Sequence, residues 1–206
     1  MRPLAIVDYG MGNLRSVQKA FARLGYAAEV TADAERIASA PGVVLPGVGA
    51  FGACMRNLTS RGLVEPVHHA IRSGRPFLGI CLGMQLLFEE SEEFGPVAGL
   101  GVFQGRIVRF APDPERKIPH MGWNTLRVVR RVAALASLPD GAYAYFVHSY
   151  YPVPADPSLV ATATPYGPEF ASSVARDNVF ACQFHPEKSQ QVGLRLLDDW
   201  ARGVGV

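Results

Sequence analysis

The first ninety residues alternate short apolar runs with amphipathic stretches. Leu4 to Val7 is an unbroken apolar run of strand length, the signature of a strand buried on both faces. Beyond it, Leu14, Val17, Phe21 and Leu24 recur at helical spacing, with Asn13 placed to cap that helix and Gly25 to stop it. Further strands are predicted at Ala27 to Val30 and at Val43 to Leu45, the latter ended by Pro46. Leu63, Val64, Val67 and Ile71 mark another helix, Pro76 to Ile80 a fourth strand, and Leu82 to Glu90 the helix after it. The uncharged run Ile37 to Met55 is long enough to raise a membrane span. Pro41, Pro46 and four glycines interrupt it, so it reads as strand and loop. Strands alternating with helices imply a parallel sheet covered on both faces.

The second half changes character. Gly101 to Phe110, Leu126 to Val132, Tyr143 to Ser149, Val160 to Thr164 and Phe170 to Val174 are strand-like and separated by turn residues. They predict an antiparallel extension of the sheet or a side sheet. Val179 to Phe184 is a last strand, and Val192, Leu196, Leu197 and Trp200 suit a closing helix. The expected fold class is α/β: a mostly parallel central sheet flanked by helices, with an antiparallel side sheet in the second half. At 206 residues, 49% hydrophobic and 18% charged, the chain is expected to form one globular domain over 1–206. Its net charge of +2 is dispersed, and the short cluster Arg127, Arg130, Arg131 is no nucleic-acid footprint. Cys54, Cys81 and Cys182 form an odd set without framework spacing, and the N-terminus lacks the pattern of a signal peptide. Both point to a reduced, cytoplasmic compartment with no membrane association.

Candidate chemistry centres on Gly79-Ile80-Cys81-Leu82-Gly83, between an apolar strand and a predicted helix. Glycines two positions either side of a nucleophile permit a tight elbow that lifts its side chain above the strand's carboxyl end. The following helix N-terminus is expected to lower the thiol pKa, and the Leu82 N–H to face an oxyanion. A cysteine nucleophile needs a base. Of five histidines, His68 and His69 sit in an amphipathic helix at the surface or its edge. His185 stands in Gln183-Phe184-His185-Pro186-Glu187, just past the last strand. Pro186 biases His185 toward extended geometry, and alternation would turn Glu187 to the same side to orient the ring. No CxxC or HExxH spacing supports a metal site. Asp8 to Asn13 lacks the third glycine of a dinucleotide fingerprint, so its glycines read as a tight turn.

Gly79-Ile80-Cys81-Leu82-Gly83-Met84-Gln85 with His185-Pro186-Glu187 resembles the triad-type, class I glutamine amidotransferases, which have a flavodoxin-like sheet. Within them, four further segments resemble the glutaminase subunits of imidazole glycerol phosphate synthases. These are Asp8 to Leu14, Pro46 to Phe51, Pro119 to Asn124 and Phe146 to Tyr150. Cys182 stands where that pattern leads one to expect a bulkier residue. The resemblance implies a Cys81–His185–Glu187 triad hydrolysing glutamine, with Val48, Gly49 and Leu82 at the oxyanion. Gln85, Ser149 and Tyr150 would hold the substrate's amino-acid end. No cofactor is implied. The implied partner is a (β/α)8-barrel cyclase in a heterodimer. It would use the ammonia to form imidazole glycerol phosphate and an aminoimidazole carboxamide ribonucleotide in histidine biosynthesis. Met121, Trp123 and Asn124 are then interface candidates, with Lys188 at the rim. Two other readings are a cysteine hydrolase or peptidase active alone, and a non-catalytic binding module. The complete triad argues against the module, and Gln85 with the glycine-rich loop favours glutaminase over peptidase.

Overall fold

A computed structural model describes residues 2–205. The apolar run at the start is β1 (Leu4–Val7), followed by α1 (Leu14–Arg23), β2 (Ala28–Thr31), α2 (Ala34–Ser39) and β3 (Val43–Gly47). Next come α3 (Phe51–Ser60), α4 (Val64–Arg72), β4 (Phe77–Cys81) and the single turn α5 (Leu82–Gln85). Short strands β5 (Phe88–Ser91) and β6 (Val97–Ala98) precede β7 (Phe103–Arg109), β8 (His120–Val128), β9 (Ala142–His148) and β10 (Tyr150–Pro154). The chain closes with β11 (Val160–Pro165), β12 (Glu169–Arg176), β13 (Val179–Cys182) and α6 (Gln190–Arg202).

The main sheet runs β2-β1-β3-β4-β13-β12-β11-β8-β9. Its first five strands pair in parallel, in the order of a flavodoxin-like sheet. The other four extend it antiparallel. A smaller sheet, β10-β7-β5-β6, contains both senses, because β5 runs parallel to β7. Both expectations for the second half, an extension and a side sheet, are therefore realised.

Alternate residues of the parallel strands feed two cores. Leu4, Ile6, Val44, Leu78 and Ile80 meet Phe21 of α1 and Leu197 and Trp200 of α6 on one face. Ala5, Val7, Val43, Leu45 and Phe77 meet Ile37, Leu58 and Val67 of α2, α3 and α4 on the other. This double burial is why β1 and β3 read as continuous apolar runs.

Several boundaries differ from expectation. Pro46 does not end β3. It lies opposite Ile80 within the parallel pairing, and the strand continues to Gly47. Phe51 to Met55 is helical, because Phe51, Cys54 and Leu58 form a buried stripe. The short helix α2 is capped by Asp33, whose carboxylate accepts from the Glu35 and Arg36 N–H groups. Asn13 occupies the cap position of α1 but makes no side-chain cap bond. The largest difference is at Leu82 to Glu90, which is one helical turn followed by a strand. The Leu86 and Leu87 carbonyls accept from Leu100, Val102 and Phe103, so the chain leaves the helix after its first turn. Strand β8 begins at His120, upstream of the expected Leu126, and Arg130 to Val132 lies outside it.

Candidate active site

Three segments meet at the carboxyl edge of the parallel sheet. In β3 and β4, Gly47 lies opposite Cys81. In β4 and β13, Ile80 lies opposite Cys182, three residues before His185. Cys81 has φ 55° and ψ −112°, a conformation that strains a residue with a Cβ by about 1–3 kcal/mol. The elbow survives because its surroundings admit only glycine. A Cβ on Gly83 would stand 1.8 Å from the Leu45 carbonyl oxygen, and one on Gly47 would stand 2.7 Å from the Tyr9 hydroxyl. That hydroxyl donates to the Pro46 carbonyl at 2.8 Å and fixes the entry to the Val48–Gly49 loop. Because α5 is a single turn, its dipole acts weakly on the thiol, in contrast to the expected longer helix.

The His185 backbone N–H donates to Tyr145 of β9 at 2.9 Å, and its carbonyl accepts from Ser189 Oγ at 2.7 Å. Its Nδ1 meets Glu187 Oε1 at 2.8 Å, with both side chains about 1% exposed. His185 is extended, as Pro186 requires, but Glu187 lies in a 3-10 turn over Pro186–Lys188. The turn, not strand alternation, folds the carboxylate back onto the ring. His185 Nε2 has no hydrogen-bond partner among the described residues. Burial opposes a proton on His185, but the Cys81 sulfur and Glu187 outweigh it and raise its pKa to about 10.

Cys81 and His185 open into one cavity of about 280 Å³, near the lower end of the ~300–1,000 Å³ typical of small-molecule sites. Val48, Gly49, Leu82, Gln85, Ser149 and Tyr150 all line it, so the sequence-predicted residues converge there. Gln85 Nε2 is already engaged, donating at 2.9 Å to both the Tyr150 carbonyl and Gln183 Oε1. Glu93, Pro119, Val147 and His148 also line the cavity. Glu93 accepts from the Phe51 N–H at 2.6 Å, holding the start of α3 beside the loop. Nothing in the local sequence marks Glu93, which arrives through the side sheet.

The chain matches the family model "Glutamine amidotransferase class-I" over residues 5–202. It belongs to the class-I glutamine amidotransferases. Similar relatives include "Imidazole glycerol phosphate synthase subunit HisH" of Syntrophotalea carbinolica, 56% identical over 96% of this chain and 98% of that protein. The subunit of the same name from Geobacter sulfurreducens is 54% identical over 97% and 98%. Among solved structures, one titled "Crystal structure of glutamine amidotransferase" superposes with a TM-score of 0.75 at 20% identity, over 98% of this chain and 99% of that one. PurLQS from Thermotoga maritima gives 0.74 at 19%, with the same coverage. These neighbours share the class-I fold.

The cavity adjoins two buried histidines. His120 Nδ1 and His148 Nε2 are 2.9 Å apart, and His148 Nδ1 is 2.8 Å from the Tyr150 carbonyl. Burial pushes His120 down to about 4. Burial is also the largest influence on His148 and takes it to about 3. An unfolded histidine titrates near 6.5, so below that pH the unfolded chain binds two protons that the folded chain refuses. Stability from these groups is complete above pH 6.5 and declines as pH falls toward 4. His185, raised instead, stays protonated in the folded chain while its unfolded form takes up a proton through 6.5, so it offsets part of that loss. Urea unfolding should show a net loss of ~1–2 kcal/mol between pH 7 and 5.5, with uptake approaching two protons at the acid end. A flat profile would mean that the pair is charged or exposed.

Proposed function

We propose that this chain is the glutaminase subunit of a two-subunit synthase in histidine biosynthesis, with Cys81 as nucleophile and His185 and Glu187 completing the triad. One observation carries the reading: the strained Cys81 and the Glu187-held His185 share a single small cavity. Identity above 50% to subunits named for imidazole glycerol phosphate synthase supports the pathway.

The Cys81 sulfur attacks the side-chain carbonyl carbon of glutamine. The oxyanion is held by the Leu82 N–H and an N–H of the Val48–Gly49 loop, donors of a kind whose individual loss costs ~10²–10³ in rate. His185 gives its Nε2 proton to the departing amine, and ammonia leaves behind a thioester. Water then attacks, His185 takes its proton, and glutamate departs. Gln85 Oε1 and the Ser149–Tyr150 backbone receive the amino-acid end of the substrate. The two donor positions of Gln85 are committed to the protein, which leaves its oxygen for the substrate ammonium. Gly49, at φ 95°, allows the loop peptide to reorient and switch the oxyanion site on. This reading keeps the enzyme in the cytoplasm. The three cysteines are free and buried, and no described helix is long and apolar enough to cross a membrane.

The ammonia is passed to a (β/α)8-barrel cyclase in a heterodimer. Met121 and Trp123 of β8 and Tyr143 of β9 are 63%, 47% and 58% exposed and lie on one face of the hairpin. Trp123 pairs across the strands with Tyr145, and Met121 with Val147 at the cavity mouth. An aromatic patch of this kind is interface material. Asn124 points to the opposite face and serves the interior, donating to the Pro165 carbonyl at 2.8 Å. Lys188 lies over the Tyr145 ring at 5.8 Å, at the rim of the patch.

Cys81→Ala should lower glutamate release by on the order of 10³-fold or more, while the complex still makes imidazole product from added ammonium. Parallel assays of glutamate and of imidazole product test this, and wild-type glutaminase in the variant would unseat the nucleophile. Trp123→Ala should weaken subunit affinity by tenfold or more, with folding stability changed by no more than ~0.5 kcal/mol. Titration calorimetry with the cyclase, alongside urea melts of the free chain, separates these. Unchanged affinity with a large stability loss would return Trp123 to a purely structural role.

A further inference from the structure

The cavity is backed by a chain of buried amides and imidazoles, and its bond directions can be deduced from its ends. At one end Asn124 Oδ1 accepts from the Thr125 N–H at 2.8 Å, and Nδ2 donates to the Pro165 carbonyl at 2.8 Å. Its second Nδ2 hydrogen faces His120 Nε2 at 3.3 Å, so that nitrogen accepts. His120 Nδ1 must then donate to His148 Nε2, which leaves His148 Nδ1 to donate to the Tyr150 carbonyl. Both rings are neutral in this arrangement.

The Tyr150 carbonyl, which can only accept, also receives Gln85 Nε2 at 2.9 Å. That sets the orientation of the Gln85 amide, whose other hydrogen goes to Gln183 at 2.9 Å. Gln183 must therefore accept with Oε1 and turn its own Nε2 outward. The atom it faces is Cys81 Sγ, at 3.7 Å. Gln183 is fully buried and Gln85 is 4% exposed, so water does not compete for these bonds.

We infer that Gln183 is a further catalytic residue, whose N–H donates to the Cys81 sulfur and stabilises it as a thiolate before attack and again as the thioester breaks. Gln85, His148 and His120 are positioning residues that hold this donor toward the sulfur. The division of labour is chemical. His185 must surrender its proton to the leaving amine within each turnover, whereas an amide N–H cannot be surrendered and remains on the sulfur throughout. The inference rests on Cys81 being the nucleophile.

Other titratable groups surround Cys81. His185, His148, Glu93 and Tyr150 share its cavity, Tyr9, Cys54 and Cys182 are close enough to interact with it electrostatically, and Glu187 is bonded to His185. Burial raises Tyr9, Cys54 and Cys182 and keeps them neutral at ordinary pH. His185, whose own titration lies near 10, is the same in every variant, so a change confined to Gln183 is read as a difference from the wild-type midpoint.

The test is the pH dependence of iodoacetamide alkylation at Cys81, followed by peptide mass mapping on the full chain, with residual glutaminase activity measured in parallel. Gln183→Glu keeps the shape and the acceptor for Gln85 but turns an oxygen toward the sulfur. Gln183→Met removes the donor without adding charge. Each should move the half-alkylation pH of Cys81 upward by ~1–2 units and lower kcat by ~10–100-fold with KM nearly unchanged. A merely structural residue would lower the melting temperature without moving the alkylation midpoint. A folded variant of either kind with an unmoved midpoint overturns the role of Gln183. Failure of Cys81 alkylation to inactivate the wild-type chain would instead overturn the nucleophile assignment beneath it.

Discussion

The parallel register of β3, β4 and β13 is the constraint from which the site follows. Backbone hydrogen bonds set Gly47 beside Cys81 and Cys182 beside Ile80, and those pairings admit no slip without turning every side chain to the other face. Both faces of these strands are buried against different partners, so a slip would carry Leu45 and Leu78 each into the core shaped for the other. The register therefore places the Val48–Gly49 loop, the Cys81 elbow and the His185 turn at one edge of the sheet. Strain at Cys81 is held by close contact, with Gly83 packed against the Leu45 carbonyl where no side chain would fit.

Polar groups behind the site extend this rigidity. His185 is tied by its backbone to β9, and β9 pairs with β8, which carries the exposed Met121 and Trp123. Asn124 belongs to the same strand but faces inward, at the start of the bonds leading through His120 and His148 to Gln85 and Gln183. A strand that presents an aromatic patch outward thus anchors, on its other side, the hydrogen bonds that lead to Cys81. A partner docking on that patch would press on a strand continuous with the hydrogen bonds that reach Cys81.

The parallel half of the fold was legible because doubly buried strands give unbroken apolar runs such as Leu4 to Val7 and Pro76 to Ile80. The elbow was legible because its glycines are close in sequence. What was hidden depends on distant partners. Leu82 to Glu90 has helical composition, yet the Leu86 and Leu87 carbonyls are captured by residues 100–103, and no local pattern announces that. Glu93 reaches the cavity from the side sheet, and Gln183 opens the Gln183-Phe184-His185-Pro186-Glu187 motif while its amide's target lies about a hundred residues away. Asn124 shares a segment with Met121 and Trp123, but strand alternation alone puts it on the other face.

The central claim is that Cys81 carries the acyl group of glutamine. Acid quenching of the complex during turnover, followed by mass spectrometry of the Cys81 peptide, tests it directly. The account predicts a glutamyl thioester on Cys81, absent from Cys54 and Cys182 and lost on brief treatment with mild base. Steady turnover with an unmodified Cys81, or an acyl group on another residue, would contradict it.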